Sequence, residues 1–372
     1  MKIVCSTKLL MAAVNNVSRA VAVRSTVPAL EGILISAKDN VVTLSGYDLE
    51  IGITTKFEAM VYQEGSVVLN AKLLLEMVKR ISFNEISIAV DEKNVAIINS
   101  GITQFSIPAL GGSEYPEMPL IDDDGSITVS AGNLKTMISQ TIFAISTNDS
   151  KPIHTGSLIE CANNTLTMVS VDGVKLALKR ISIDYSEEKS FVVPGKALSE
   201  ISKLITDIEA PIIIKVSDKH VLLEVEDCTV ISRLLEGEFL DYKSAIPQNH
   251  TTEVVVNTKD LIETIERTSL VIFDKLKAPI KLVLDENIIK FYCKSPTGNA
   301  YDELPCQIDG NLFEVGFNSR AMLDALKVIT DKEIKLLFGG PLSPMKIVPV
   351  DNDDFIFLVL PVRIKNEDTA EN

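Results

Sequence analysis

Leu69-Asn70-Ala71-Lys72-Leu73-Leu74-Leu75-Glu76-Met77-Val78-Lys79-Arg80-Ile81 has two further counterparts in this chain. One is Val193-Pro194-Gly195-Lys196 onward, and the other is Phe317-Asn318-Ser319-Arg320 onward. Lys72, Lys196 and Arg320 lie 124 residues apart. Glu76, Glu200 and Asp324 keep the same interval, as do Lys79, Lys203 and Lys327, and Ile81, Ile205 and Ile329. The interval is one third of the 372-residue length. A unit of that size is a domain and not the short repeat of a solenoid. Lys72, Glu76 and Lys79, at i, i+4 and i+7, occupy one helical face. Pairs 72/76 and 76/79 are spaced for surface salt bridges, each contributing about 0.2–0.5 kcal/mol. Recurrence of that face in all three copies asks for more than solvation.

Each copy reads outward from this helix as a first helix, a group of strands, the second helix and further strands. The first helices fall at 5–21, 129–145 and 256–272, the second at 69–81, 193–205 and 317–329. Leu10/Val14, Leu134/Ile138 and Leu261/Ile265 supply i, i+4 apolar pairs, and Asn257 or Thr258 can cap the last first helix. β-Branched stretches such as Gly32-Ile33-Leu34-Ile35, Val41-Val42-Thr43-Leu44 and Ile212-Ile213-Ile214-Lys215-Val216 lie between helices. Asp39-Asn40, Asn163-Asn164 and Glu286-Asn287 are turn pairs for antiparallel hairpins. Pro119 through Asp122-Asp123-Asp124-Gly125, and Pro247 to Thr252, read as linkers. The expected division is 1–121, 129–247 and 250–364, followed by an acidic tail at 365–372 read as disordered.

Composition narrows the function classes. A hydrophobic content of 46% with 23% charged residues suits a globular chain. No apolar run approaches the roughly 20 residues of a membrane span, and the first residues lack a signal-peptide cleavage pattern. A cytoplasmic protein with no membrane partner is expected. Cys5, Cys161, Cys228, Cys293 and Cys306 are odd in number and lack CxxC spacing, and His154, His220 and His250 add no ligand pattern. They read as reduced and mostly buried thiols, with no metal site. No GxSxG, phosphate loop or calcium loop is present. Gly195-Lys196 reads as a helix start, and Asp122-Asp123-Asp124 and Asp351-Asn352-Asp353-Asp354 as solvated turns. No catalytic residue and no cofactor are expected.

The net charge of −15 argues against a polyanion partner, but its distribution argues the other way. The six expected helices hold twelve Lys/Arg and six Asp/Glu, a net of +6, which leaves −21 for the rest. Residues 1–30 carry Lys2, Lys8, Arg19 and Arg24 and no acid. Such segregation is the electrostatic footprint of a nucleic-acid binder, although lysine-rich helix surfaces alone would also produce it.

Several longer strings resemble one family. They are Asp48-Leu49-Glu50, Val171-Asp172-Gly173-Val174-Lys175-Leu176-Ala177, Val192-Val193-Pro194-Gly195-Lys196 and Leu235-Glu236-Gly237-Glu238-Phe239-Leu240-Asp241-Tyr242. Gly316-Phe317-Asn318 and Leu360-Pro361-Val362-Arg363-Ile364 complete the set. Each is weak alone, but in this order the chain, up to Ile364, resembles the bacterial sliding clamps, the β subunits of DNA polymerase III. The resemblance implies an α+β fold of three tandem DNA-clamp domains, each with two helices backed by antiparallel sheets. It also implies that two chains close head to tail into a six-domain ring around duplex DNA. Domain size agrees with that closure. A domain of this length is roughly 35 Å across; three touching leave a hole of about 5 Å and six one of about 35 Å. Only the second admits a duplex.

The implied function is a non-catalytic processivity ring that holds double-stranded DNA without reading sequence. Its implied partners are the DNA polymerase III alpha subunit, the clamp-loader delta subunit, and other polymerases and repair proteins with clamp-binding motifs. The resemblance places Arg24 and Lys151 at the DNA; charge alone adds Lys72, Lys79, Lys196, Lys203, Arg320 and Lys327. Phe105 would meet Val271 and Ile272 of a second chain. The implied peptide pocket comprises His154, Thr155, Val171, Gly173, Val174, Lys175, Leu176, Leu240, Ala245, Asn318, Leu342, Leu358, Leu360, Pro361, Val362 and Arg363. Most are apolar, as anchor side chains require, with Asn318 and Arg363 for polar contacts. Pro152 and Ile153 stand where the family often has two tyrosines. His154, Val174, Ser244 and the extension past Ile364 also depart from its pattern. The alternative from another class is a cytosolic repeated-domain α/β enzyme with an interdomain site.

Overall fold

In each repeat the chain passes from a strand into a helix with almost no loop. In a computed structural model that describes residues 1–121, 125–148, 150–272 and 278–364, seven helices occur among the described residues. They are α1 (Thr7–Val17), α2 (Ala71–Arg80), α3 (Ala131–Thr141), α4 (Gly195–Leu204), the short α5 (Tyr242–Ala245), α6 (Thr258–Ser269) and α7 (Ser319–Leu326). The six long helices are therefore shorter at their starts than periodicity alone suggests. Strands Lys2–Ser6, Gly65–Asn70, Ser126–Ser130, Lys189–Pro194 and Thr252–Asn257 run up to the helices' first residues. Each repeat thus opens on a strand, where a helix was expected first.

Side chains at these junctions satisfy the orphan amides of the first turn. Asn70 Oδ1 accepts from Leu73 N at 3.0 Å, Asn257 Oδ1 from Asp260 N at 3.1 Å, and Asn318 Oδ1 from Ala321 N at 3.1 Å. Asn257 is thus the cap and Thr258 the first helical residue. The hairpin turns behave as their residues require. Asp39 and Asn40 take φ of 49° and 60°, and Asn163 and Asn164 take 51° and 57°. Paired left-handed residues are the signature of the tight turns that match strand twist.

The chain divides into two compact units, Met1–Lys135 with Lys196–Leu234, and Thr136–Gly195 with Leu235–Asn372. The first holds a five-stranded antiparallel sheet whose edges are Met60–Gln63 and Thr103–Pro108. It also holds a nine-stranded sheet in which Ile51–Glu58 of the first repeat pairs with Cys228–Arg233 of the second. Its interior is aliphatic: Ile33, Ile35, Leu44, Ile53, Ile214 and Val230 are fully buried or nearly so.

The second unit repeats the plan. Its nine-stranded sheet joins the second and third repeats where Lys175–Ser182 pairs with Phe355–Val359. A four-stranded sheet ends on Gly298–Pro305. The core is richer in rings, with Phe291, Phe317, Phe338 and Phe357 buried among aliphatic side chains. Cys5, Cys161, Cys228 and Cys293 are buried and Cys306 half-buried, all as free thiols. Burial, aided by Glu85, pushes the Cys5 thiol up to about 12. The Asp122-Asp123-Asp124 turn and the acidic tail at 365–372 lie outside the described residues.

Candidate partner pocket and nucleic-acid interface

Several of the candidate pocket residues gather around one tight turn in the second unit. Asp172 Oδ1 accepts from Val174 N at 2.8 Å and Lys175 N at 2.7 Å, and Gly173 takes φ of +87°. The turn launches Lys175–Ser182, in which Leu176 lies opposite Leu358. Leu360 N then donates to Val174 O at 2.9 Å, and Val362 N to Gly316 O at 2.8 Å. The Leu360–Arg363 segment therefore leaves the sheet and is strung from the turn to the residues preceding α7. Asn318 sits at that end with its side-chain oxygen engaged as the α7 cap.

Val171, Leu176 and Leu358 form a buried wall with Ile153, Leu178, Tyr242 and Ile246. Of the other apolar candidates, Val174 is 43% exposed, Leu240 42%, Leu342 82% and Leu360 39%. Pro361 and Val362 are half-buried, and Gly173, Ala245 and Arg363 are exposed. Val174 and Leu360, joined across the turn and open to solvent beside this packed apolar floor, suit a short peptide's anchors. The His154 ring meets Phe239 edge-on at 5.4 Å, and burial, then Lys151, holds its pKa below the usual histidine value. The Thr155 hydroxyl is spent on Pro152 O at 2.7 Å. Lys175 is only 11% exposed in its side chain, with Nζ 2.8 Å from Asp324 and 3.6 Å from Asp172. Asp172, Asp324, Phe239 and Tyr242 were absent from the sequence-based pocket. The 124-residue repeat already marked Asp324, but as part of a helix face.

All eight candidate DNA contacts, Arg24, Lys72, Lys79, Lys151, Lys196, Lys203, Arg320 and Lys327, are exposed. They differ in their partners. Glu76 pairs with Arg80, where Lys72 and Lys79 were the expected partners; Arg80, four residues on, carries the guanidinium whose hydrogen bond holds the Glu76 carboxyl below its usual range. Lys196 is paired with Asp48, Lys203 with Glu200 at 2.7 Å, and Lys327 with Glu266 at 2.6 Å. Glu200 also takes Arg19 Nη1 at 3.3 Å. Phe105 is half-buried on the edge strand Thr103–Pro108, and Val271 and Ile272 are half-buried just past α6. Among the described residues no group of three or more His, Cys, Asp or Glu could hold a metal ion, and no helix is long and apolar enough to cross a membrane.

Three tandem two-helix, sheet-backed domains define the DNA-clamp class. Residues 1–119, 128–241 and 243–363 match the N-terminal, central and C-terminal domains described for the DNA polymerase III beta subunit. A Bacillus subtilis "Beta sliding clamp" is 34% identical over 376 residues, covering 98% of this chain and all of that protein. The crystal structure of the DNA polymerase sliding clamp from Bacillus subtilis superposes with a TM-score of 0.96 at 33% identity, covering 98% and 99% of the two chains. A putative DNA polymerase III beta subunit from Eubacterium rectale gives 0.95 at 33% identity over 98% and 100%. The chain belongs to the DNA polymerase III β-subunit family, the bacterial sliding clamps. It is a DNA sliding clamp, a non-catalytic component of replication that works with DNA and with clamp-binding proteins.

Proposed function

We propose that two of these chains close head to tail into a cytoplasmic, nucleoid-associated ring whose helices face the DNA. The observation that carries this reading is strand arithmetic. Each nine-stranded sheet joins five strands of one repeat to four of its neighbour. The five-stranded sheet ends on the open edge Thr103–Pro108, and the four-stranded sheet on the open edge Gly298–Pro305. Pairing these edges between two chains makes a third nine-stranded sheet and leaves neither edge exposed, which is how proteins manage edge strands. Phe105, Val271 and Ile272 flank those edges and supply the apolar contact. Repeats spanning 1–121, 129–247 and 250–364 would then form six similar sectors.

In this reading Arg24, Lys72, Lys79, Lys151, Lys196, Lys203, Arg320 and Lys327 face phosphate, which is attracted without base readout. The pocket around Leu176, Leu360 and Asn318 takes short motifs of the polymerase III alpha subunit, the clamp-loader delta subunit and other clamp users. A topological assay tests the ring. Loaded by clamp loader and ATP onto nicked circular DNA, the protein should survive a high-salt wash, and linearising the DNA should release it. Equal retention on circular and linear DNA would exclude encirclement.

A further inference from the structure

The 124-residue repeat makes Lys79, Lys203 and Lys327 equivalent in sequence, yet their surroundings differ. Lys327 Nζ lies 2.6 Å from Glu266, and Lys203 Nζ 2.7 Å from Glu200. Lys79 has no carboxylate within ion-pair distance among the described residues, because Glu76 on its own helix is held by Arg80. One substitution in the neighbouring helix accounts for Lys327. α1, α3 and α6 begin at Thr7, Ala131 and Thr258, and the ninth residue of each is Asn15, Ser139 and Glu266. All three are exposed, and only the third copy places an acid there. The first position of the repeated face behaves similarly: Lys196 is paired with Asp48, whereas Lys72 and Arg320 have no carboxylate within ion-pair distance among the described residues, Glu76 acting on Lys72 and Lys79 only at longer range.

The helices carrying these residues also differ in charge. α1 holds Lys8 and no acid, and α2 holds Lys72, Lys79 and Arg80 against Glu76. α6 holds Asp260, Glu263 and Glu266 against Lys259 and Arg267, a net of −1. A lysine with a carboxylate against it presents little net charge a Debye length away. Already neutralised, it displaces few of the counterions condensed on the duplex, so it adds little to binding. A lysine without a carboxylate in direct contact contributes more, and at α2 the Glu76 charge is already taken up mainly by Arg80.

We propose that duplex DNA bears on the first repeat of the clamp, with Lys72 and Lys79 of α2 as its principal phosphate contacts, while Glu266 withholds Lys327. The proposal rests on the sliding-clamp reading and ranks contacts that the repeat alone treats as equal. The three domains of each chain then act as one bearing surface and two guides.

The test uses the full-length homodimer and a mixed-sequence duplex oligonucleotide, with fluorescence anisotropy read across a salt series. Lys79→Gln should weaken binding roughly tenfold per chain at 0.1 M salt and flatten the log–log salt slope by about 0.9 per chain. Lys203→Gln and Lys327→Gln should each cost less than half as much in slope. Glu266→Gln should move the other way, tightening binding several-fold and steepening the slope. All four side chains are exposed, so circular dichroism and pocket-peptide affinity serve as folding controls. Equal losses at Lys79, Lys203 and Lys327, or no gain from Glu266→Gln, would overturn the ranking and leave the clamp reading intact. Salt-independent binding that ignores all four substitutions would remove both.

Discussion

Replacing Val271 and Ile272 with alanine should convert the ring to monomers at concentrations where the parent is closed. Ser295 Oγ and Thr297 Oγ1 both donate to Val271 O at 2.6 Å, which ties the end of α6 to the start of the Gly298–Pro305 edge. The backbone should therefore hold its course when the side chains are shortened. Both side chains are half-buried in the single chain, so roughly half of each remains to be covered on association, about 1 kcal/mol per side chain at about 25 cal/mol/Å². A head-to-tail ring has two interfaces with one Val271 and one Ile272 in each, so the double substitution removes about 4 kcal/mol per ring. That is roughly a thousandfold rise in the dimer dissociation constant. Sedimentation velocity or mass photometry from nanomolar to micromolar protein would follow it, with thermal melting to show that the subunit stays folded. A double variant that dissociates at the parent's concentration would mean that the chains meet elsewhere, or that these side chains stay out of the contact.

Two further outcomes follow from local geometry. Leu360→Asp sets a charge on the 39%-exposed rim of the pocket while leaving the Leu360 N to Val174 O bond in place. A peptide with an aliphatic start and an aromatic end should bind at least about thirtyfold more weakly, from the loss of about 2 kcal/mol of apolar contact, and unchanged fluorescence polarisation would refute the pocket. Leu49 takes φ of +76° and is 51% exposed, where the second repeat has Gly173 at +87°. Leu49→Gly should raise stability by up to about 1 kcal/mol through relief of left-handed strain, and a lower midpoint in urea would show that the leucine is held by contacts outweighing that strain.

Elements set by near neighbours in sequence were legible before any coordinates. The six long helices, the Asn257 cap and the Asp39-Asn40 and Asn163-Asn164 turns each depend on a few adjacent residues, and each appears where the pattern pointed. The order of strand and helix at the start of each repeat was not legible. Lys2–Ser6 is a five-residue strand, Lys-Ile-Val-Cys-Ser, whose apolar centre runs into the helix pattern without a break, and no turn residue marks the change. The candidate DNA contacts could be picked by charge, but their partners could not. Asp48 and Lys196 are 148 residues apart, and Glu266 and Lys327 are brought together only by packing of α6 beside α7. Leu360–Arg363 reads as the end of a strand; only its bonds to Val174 and Gly316 reveal that it crosses between elements.

The strand pairing that joins successive repeats also has a consequence during synthesis. Ile51–Glu58 pairs on one side with Val41–Tyr47, but its other edge finds a neighbour only in Cys228–Arg233, roughly 170 residues later in the chain. At translation rates of about 5–20 residues per second, that edge waits roughly 10–30 seconds on the ribosome with its amides and carbonyls unmet. Its sequence, Ile-Gly-Ile-Thr-Thr-Lys-Phe-Glu, is strongly strand-forming until Lys56 and Glu58 interrupt it. Those two charges are placed to keep a nascent chain from adding the edge of another on the same message, the role that gatekeeper residues play beside unavoidable β segments.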